Sequence, residues 1–281
     1  MSGRDLPSPV VRVSRLAVAS GILREGMRAV PEECAVAFTY NRMAHAVMMA
    51  TPADLEDFAV GFSLAERVIE RPDEITQLEI VSRDIGVELR MWIDEGRASV
   101  YSDRRRYLAG PTGCGLCGIE SLEEATRRVP PVGAGLVLSP AMISGAIAAM
   151  PASQALNRET RAVHAAAFWT PDRGVVTLRE DVGRHNALDK LAGAVARQGL
   201  SGADGIVLLT SRVSVEMVQK AALMGASILV AVSAPTALAI RTAEGCGMTV
   251  IAIARGQDFE IFTHPDRIGP IAAHQEQRNV A

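Results

Sequence analysis

The run Thr112-Gly113-Cys114-Gly115-Leu116-Cys117-Gly118 sets two thiols three positions apart among three glycines. Such a loop can bring both sulfurs to one point and leave backbone amides free to face an anion. The pair suits dithiol–disulfide exchange, zinc ligation, or sulfur carried as a persulfide on one cysteine. Exchange needs the two sulfurs to reach disulfide geometry. Zinc needs about four ligands. Cys114 and Cys117 supply two, and His164, His185 and Cys246 are distant completions, so no metal site is expected. A persulfide needs one thiolate to attack a sulfur donor and its terminal sulfur then to reach an acceptor. The glycines keep that access open. Glycines on both sides favour Cys114 as the cysteine loaded first, with Cys117 stabilising or releasing it. A structural turn holding two buried cysteines is the remaining reading, and it does not call for so permissive a backbone. Cys34 and Cys246 are isolated in apolar surroundings.

Other polar groups cluster further along. Glu180-Asp181-Val182-Gly183-Arg184-His185-Asn186-Ala187-Leu188-Asp189-Lys190 spans a strand-to-helix passage. Gly183 permits the bend and Asn186 can cap the helix. As a pocket wall, the segment would let Asp181 and His185 relay a proton while Arg184 meets phosphate; histidine titrates nearest neutral pH. Otherwise it is a charged first turn with its cap. His164, followed by Ala165-Ala166-Ala167, has room to face a ligand, or is a half-buried strand histidine. His45, His264 and His274 read as surface or structural. Ser211-Arg212-Val213-Ser214, Ser233-Ala234-Pro235-Thr236 and Arg255-Gly256-Gln257-Asp258 each follow a short apolar run. Polar strand ends beside helix starts are where open α/β sheets bind anionic ligands. Arg212 and Arg255 would contact phosphates, with hydrogen bonds from Ser211, Ser214 and Thr236. No Walker loop or dinucleotide fingerprint is present. Arg104-Arg105-Arg106, just before the cysteine loop, is either a solvated turn or an anion-facing rim.

The elements that must position these groups fall into two halves. Strands are expected at 10–18, 34–40 and 43–49, the last two forming a hairpin around Asn41 and Arg42. A helix starts at Thr51-Pro52 with Asp54 in its first turn, carries Leu55, Phe58, Phe62, Ala65 and Ile69 on one face, and ends before Pro72. Strands at 76–82, 87–94 and 98–102 follow, with a turn at Glu95-Gly96. Helices are expected at 119–128 and 140–150. Beyond them the pattern alternates. Strands at 163–169 and 175–179 lead to a helix at 185–198. A strand at 205–210, a helix at 214–224, a strand at 227–232 and a helix at 236–244 come next. Strands at 248–254 and 259–263 close the series. That alternation predicts an α/β layer with helices on both faces. The expected division is a small α+β domain at 1–108 and an α/β domain at 109–281.

Composition narrows the classes. In 281 residues, 48% are hydrophobic and 22% charged, with a net charge of -3. That suits a soluble globular protein without a broad nucleic-acid surface. The Ala-rich runs are interrupted by Arg, Glu or Pro, so no membrane span is expected. The opening MSGRDLPSPVVRVSRLAV lacks a continuous apolar signal segment. Four unevenly spaced cysteines do not form a secreted disulfide framework. A cytoplasmic location, keeping the paired thiols reduced, follows as the expectation.

The segments TGCGLCG at 112–118, VHAAAF at 163–168, EDVGRHNALDK at 180–190, SRVSVEMVQKAA at 211–222 and SAPTALAI at 233–240, with Arg255-Gly256, resemble the FdhD family of formate dehydrogenase accessory sulfurtransferases. FAVGFSLAERVI at 58–69 adds a looser likeness in the first half. The resemblance implies a sulfur carrier that accepts sulfur from a cysteine desulfurase and delivers it to the molybdenum bis(guanine dinucleotide) cofactor needed by formate dehydrogenase. It also implies a cytidine deaminase-like three-layer core, homodimers, and binding of a guanine nucleotide as a cofactor mimic. Cys114 and Cys117 stand at the family's loop cysteines. Ile253, Ala254, Arg255, Gly256, Gln257 and Asp258 stand at the region associated with the dinucleotide. The chain departs from the pattern with Gly110-Pro111 where an arginine often precedes Thr-Gly-Cys, and with Ile253 where an aromatic is frequent. Outside the resemblance, a thiol–disulfide oxidoreductase and a non-enzymatic cofactor chaperone remain alternatives.

Overall fold

In a computed structural model, described over residues 5–94, 96 and 129–269, burial alternates along β3 (Cys34–Tyr40), whose Val36, Phe38 and Tyr40 are fully buried. β3 pairs antiparallel with β4 (Met43–Ala50) across Asn41 and Arg42, both at positive φ as a tight hairpin of the I′ kind requires. β5 (Ile75–Arg83) and β6 (Gly86–Ile93) complete a four-stranded sheet of order β4-β3-β6-β5. Helix α1 (Leu55–Ala65) covers its inner face, with Phe58 and Phe62 at 5.0 and 4.0 Å from the Phe38 ring.

The helix is shorter than its apolar spacing suggests. Asp54 is the left-handed N-cap rather than part of the first turn. Arg67 takes φ 55, its amide bonds Leu64, and the Val68 amide reaches back to the Ser63 carbonyl. That closure ends the helix in the manner usually given to glycine. Ile69 is still buried, but from beyond the turn.

β1 (Val10–Ala19) and β2 (Ile22–Pro31) form a separate two-stranded ribbon. Only the first strand is legible in the sequence, because Arg24, Glu25, Gly26 and Arg28 break the apolar alternation of the second.

The second half builds a six-stranded sheet of order β12-β11-β10-β9-β7-β8. Helices α2 (Pro140–Ser153) and α3 (Ala155–Thr160) precede β7 (His164–Thr170) and β8 (Gly174–Asp181). Then come α4 (Arg184–Arg197), β9 (Ile206–Leu209), α5 (Val215–Leu223), β10 (Ile228–Ala231), α6 (Ala237–Cys246), β11 (Thr249–Arg255) and β12 (Asp258–Ile261). The short α3 was not foreseen. β9, β10 and β11 run parallel; β7 and β12 run against them. Phe168, Val207, Leu209, Leu229, Ala231 and Val250 pack with residues of α4, α5 and α6. Ala167, Ile206, Leu208, Ile228, Val230 and Ile251 pack on the other side with Ile143, Ile147 and Met150 of α2. Helices therefore lie on both faces of a mixed sheet, and the strands are apolar on both sides as buried strands must be.

Two glycines join the two halves. A Cβ at Gly61 of α1 would overlap the Asp189 carbonyl of α4, and one at Gly193 would overlap the Asp57 carbonyl. The helices cross at backbone contact because neither residue has a side chain. Arg179 and Arg197 then grip the buried Asp57 carboxylate, at 2.7 and 2.6 Å.

The expected strand at 98–102, the arginine run, the loop with Cys114 and Cys117, the helix at 119–128 and His274 lie outside the described residues. Among the described residues no helix is long and apolar enough to cross a membrane.

Candidate functional site

The direction of the strands gathers the candidate residues on one edge of the six-stranded sheet. β8, β9, β10 and β11 end there, and β7 begins there, so His164 stands in register with Asp181. The first turns of α4, α5 and α6 start from the same edge. Helix starts present unpaired amides and favour negative charge.

Asp181 and Lys190 form the foundation. Both side chains have no exposure, and Lys190 Nζ lies 2.6 Å from Asp181 Oδ2. The same oxygen accepts from the Thr51 amide at 3.0 Å. Oδ1 accepts from the Gly183 amide at 2.7 Å and from Asn186 Nδ2 at 3.0 Å. Lys190 also donates to the Thr51 carbonyl at 2.8 Å and sits 5.4 Å from the Phe58 ring centroid. With two hydrogen bonds on each oxygen, Asp181 anchors the Gly183 bend rather than offering a proton relay to His185. Asn186 is not the cap either. Gly183 occupies that position, and the Asn186 amide bonds Asp181 and the Met49 carbonyl. One helical turn is thereby tied to the four-stranded sheet.

His185 faces Glu216 instead, with Nε2 3.0 Å from Oε2. Ser214 donates to the same oxygen at 2.9 Å. Burial pushes the His185 pKa down, the bond to Glu216 opposes that, and Arg184 and Lys220 push it further down. Glu216 is held below its ordinary value: burial alone would raise it, but Ser214, His185 and Arg184 outweigh that effect. The downward shift favours the neutral imidazole, and a carboxylate partner at Nε2 selects the tautomer that donates from Nε2 and leaves a lone pair on Nδ1. His164 is likewise lowered by burial and by Arg184, against an opposing effect of Asp181. Arg184 thus acts electrostatically on both histidines, and its buried Nε has no hydrogen-bond partner. The Thr210 hydroxyl, 2.9 Å from the Ala165 amide, fixes the chain beside His164.

Beneath this turn, Lys220 donates to the buried Asp189 at 2.5 Å. Desolvation raises Asp189 to about 6, with Lys220 opposing.

The strand-end loops are stitched to one another by backbone bonds: Val213 to Ala234, Thr236 to Val213, and Ile253 to Ser233. Arg212 and Arg255 are exposed, with no ion pair among the described residues. Thr236 accepts from the Ala239 amide and keeps its hydroxyl proton to donate. Ser211 and Ser214 spend theirs on the Arg212 carbonyl and on Glu216, so neither is free to donate to a ligand as arranged. Ile253 interrupts the β11–β12 register at φ 54, a left-handed conformation that costs a β-branched residue about 1–2 kcal/mol. Ala254 is buried; Gly256, Gln257 and Asp258 are exposed.

The model of the FdhD/NarQ family matches residues 31–269. The chain belongs to that family. It is 54% identical over 260 residues to the Sulfur carrier protein FdhD of Agrobacterium fabrum, covering 92% of this chain and 95% of the relative. The protein of the same name from Brucella abortus is 51% identical over 257 residues, covering 91% and 96%. A Desulfotalea psychrophila protein, whose crystal structure is described as that of a candidate formate dehydrogenase accessory protein, superposes with a TM-score of 0.74. The identity is 25%, and the match covers 93% of this chain and 100% of the other.

Within this FdhD/NarQ chain the structure assembles His164, Asp181, His185, Ser211, Arg212, Ser214, Thr236 and residues 253–258 along one edge. Cys114 and Cys117 lie outside the described residues. Sequence reasoning passed over Glu216, Lys190 and Thr51 as site residues. Glu216 stands in the first turn of α5, where an acidic residue is ordinary at a helix start, so nothing local marked it as a partner for His185. Nothing local marked Lys190 as buried. Among the described residues no group of three or more His, Cys, Asp or Glu side chains could hold a metal ion.

Proposed function

We propose that this chain is a cytoplasmic sulfur carrier that takes sulfur from a cysteine desulfurase and passes it to the molybdenum bis(guanine dinucleotide) cofactor for formate dehydrogenase. The observation that carries the proposal is the one-edge convergence of Arg184, Arg212, Arg255 and three helix starts, in a chain of the FdhD/NarQ family. The Cys114 thiolate attacks the outer sulfur of the desulfurase persulfide. The desulfurase thiolate leaves, and Cys114 becomes the persulfide. Cys117 stabilises that species, or its thiolate attacks the inner Cys114 sulfur, so that the Cys114–Cys117 disulfide forms, the S–S bond of the persulfide breaks and the outer sulfur leaves as hydrosulfide to the acceptor; two equivalents of an external thiol then return the disulfide to two thiols.

The acceptor is substrate, and the chain's own residues orient it. Its dinucleotide lies along the strand ends, with phosphates on Arg212 and Arg255 and a hydrogen bond from Thr236. The buried, partnerless Nε of Arg184 supplies a further donor for an anionic group. Ile253–Asp258 forms the wall for the guanine end. His185, held by Glu216, accepts or returns a proton through Nδ1, and His164 borders the same space. Asp181 positions the turn that carries Arg184 and His185. A cytidine deaminase-like core, and a boundary near residue 108 between the two sheets, belong to this reading.

Reconstitution tests it. Purified desulfurase, this protein and cofactor-loaded formate dehydrogenase should yield active enzyme, and the Cys114→Ala/Cys117→Ala protein should not. Full activation by that variant would leave a cofactor chaperone. A reversible disulfide without protein-bound sulfane sulfur would leave an oxidoreductase.

A further inference from the structure

Helices α4 and α5 are bridged twice. His185 and Asp189 stand four positions apart on α4, and Glu216 and Lys220 stand four positions apart on α5, so each pair shares one helix face. His185 Nε2 lies 3.0 Å from Glu216 Oε2, and one turn further on Lys220 Nζ lies 2.5 Å from Asp189 Oδ1. The two rungs follow the same order along both helices, about 6 Å apart along the axis. The acid sits on α5 in the outer rung and on α4 in the inner one.

The rungs differ in burial. The side chains of Asp189 and Lys220 are exposed by 1 and 14%, those of His185 and Glu216 by 31 and 38%. A pair as open to water as the outer one does little to hold two helices together. The rest of the seam is apolar: Leu188 and Leu191 share a cluster with Met217, Val218 and Ala221. Apolar contact is non-directional and does not decide which residue meets which. Helix α4 is fixed from its other side, because the Asp189 carbonyl occupies the place where a Cβ on Gly61 would lie. The other groups that act on Asp189, Glu66 beyond α1 and Asp181 of β8, are acids and offer it no partner. Arg184, which also acts on His185, belongs to α4 itself. The directional hold of α5 on the buried part of α4 therefore falls to Lys220.

We propose that Lys220 is a positioning residue for sulfur transfer: by gripping Asp189 it fixes the register of α5 on α4 and so places Glu216 on His185. Buried ion pairs add little net stability over apolar side chains of similar size, and their best-attested use is to specify register. The register stands on the geometry of the two rungs. Its consequence for transfer rests on the sulfur-carrier reading, in which His185 moves a proton through Nδ1.

A double-mutant cycle read in the His185 titration tests the register. Asp189→Leu with Lys220→Met replaces the inner rung by apolar side chains, a change that is commonly neutral or stabilising; urea denaturation checks that the chain is folded. Imidazole resonances give the His185 pKa with and without Glu216→Gln. In the otherwise unaltered chain Glu216→Gln lowers that pKa. Without the inner rung most of this shift should vanish, because Glu216 no longer meets His185, and the direct charge effect of Lys220 cancels between the two arms. Lys220→Arg, which keeps the charge and the donors, should retain the shift. Should the paired variant unfold, Lys220→Met alone, in which the buried Asp189 keeps its proton, gives the same comparison. Sulfur delivery from the loaded chain to the cofactor should fall about tenfold or more without the inner rung, with loading by the desulfurase unchanged, and Lys220→Arg should restore it. A full Glu216 effect without the inner rung would overturn the register. An unchanged delivery rate despite a lost Glu216 effect would overturn the positioning role. A wild-type chain that takes up no sulfane sulfur would defeat the sulfur-carrier reading itself, while the titration still decides the register.

Discussion

Lys190 Nζ lies 2.6 Å from Asp181 Oδ2, and neither side chain reaches solvent. Removing one partner leaves the other charged and buried, a loss of about 3–5 kcal/mol. Lys190→Met and Asp181→Asn should each lower unfolding stability by that order, measured by urea denaturation. Asp181→Asn should therefore act mainly on stability, the reverse of what a proton relay predicts. A variant of wild-type stability with slowed sulfur transfer would restore the relay.

Gly193→Ala should be more damaging than an exposed helix substitution, where alanine usually helps. The added methyl meets the Asp57 carbonyl and must drive α1 from α4. A loss of about 1–3 kcal/mol is expected, read as a lowered thermal midpoint. An unchanged or raised midpoint would mean that the two helices are not in backbone contact.

Asp189 gives a pH signature. Its folded-state pKa of about 6 stands above the ordinary 3.8. The folded chain therefore holds this proton more tightly than the unfolded one. The stability contribution is fully present below about pH 4 and is lost as pH rises through about 6, on the order of 3 kcal/mol. Desolvation is the main cause; Lys220 opposes it, and Glu66 and Asp181 add to it. The wild-type stability relative to Asp189→Asn should therefore fall between pH 4 and 6.5. A constant difference across that range would show that Asp189 is ionised throughout.

Glu216→Gln should lower the His185 pKa further, because the carboxylate is what raises it against burial and Arg184. Imidazole proton resonances followed by pH titration read this directly. A merely structural role for Glu216 would leave the titration in place while changing stability. An upward shift would mean that another anion sets the His185 charge.

The alternation of the second half was legible because β9, β10 and β11 are short apolar runs separated by amphipathic helices of ordinary length. The hairpin at Asn41-Arg42 was legible from its flanking strands. β2 was not, since its apolar pattern serves no core of its own chain. Asp181 and His185 stand out in the sequence as polar groups at a bend, but partners that fix them come from distant segments: Thr51 for one, Glu216 for the other. Sequence spacing does not encode such contacts, and it therefore paired the two residues with each other. Ser211 and Ser214 looked like ligand donors because their internal acceptors could not be seen.

The central claim is that sulfur rides on this chain. Incubating the protein with a cysteine desulfurase and cysteine, re-isolating it, and measuring cyanide-releasable sulfur with peptide mass analysis tests that claim most directly. The account predicts about one sulfane sulfur per chain, located on Cys114, lost in Cys114→Ala and retained in Cys117→Ala. A persulfide found solely on Cys117 would reverse the assignment of the two thiols. No sulfane sulfur on the wild-type chain, under conditions where the desulfurase turns over, would contradict the account.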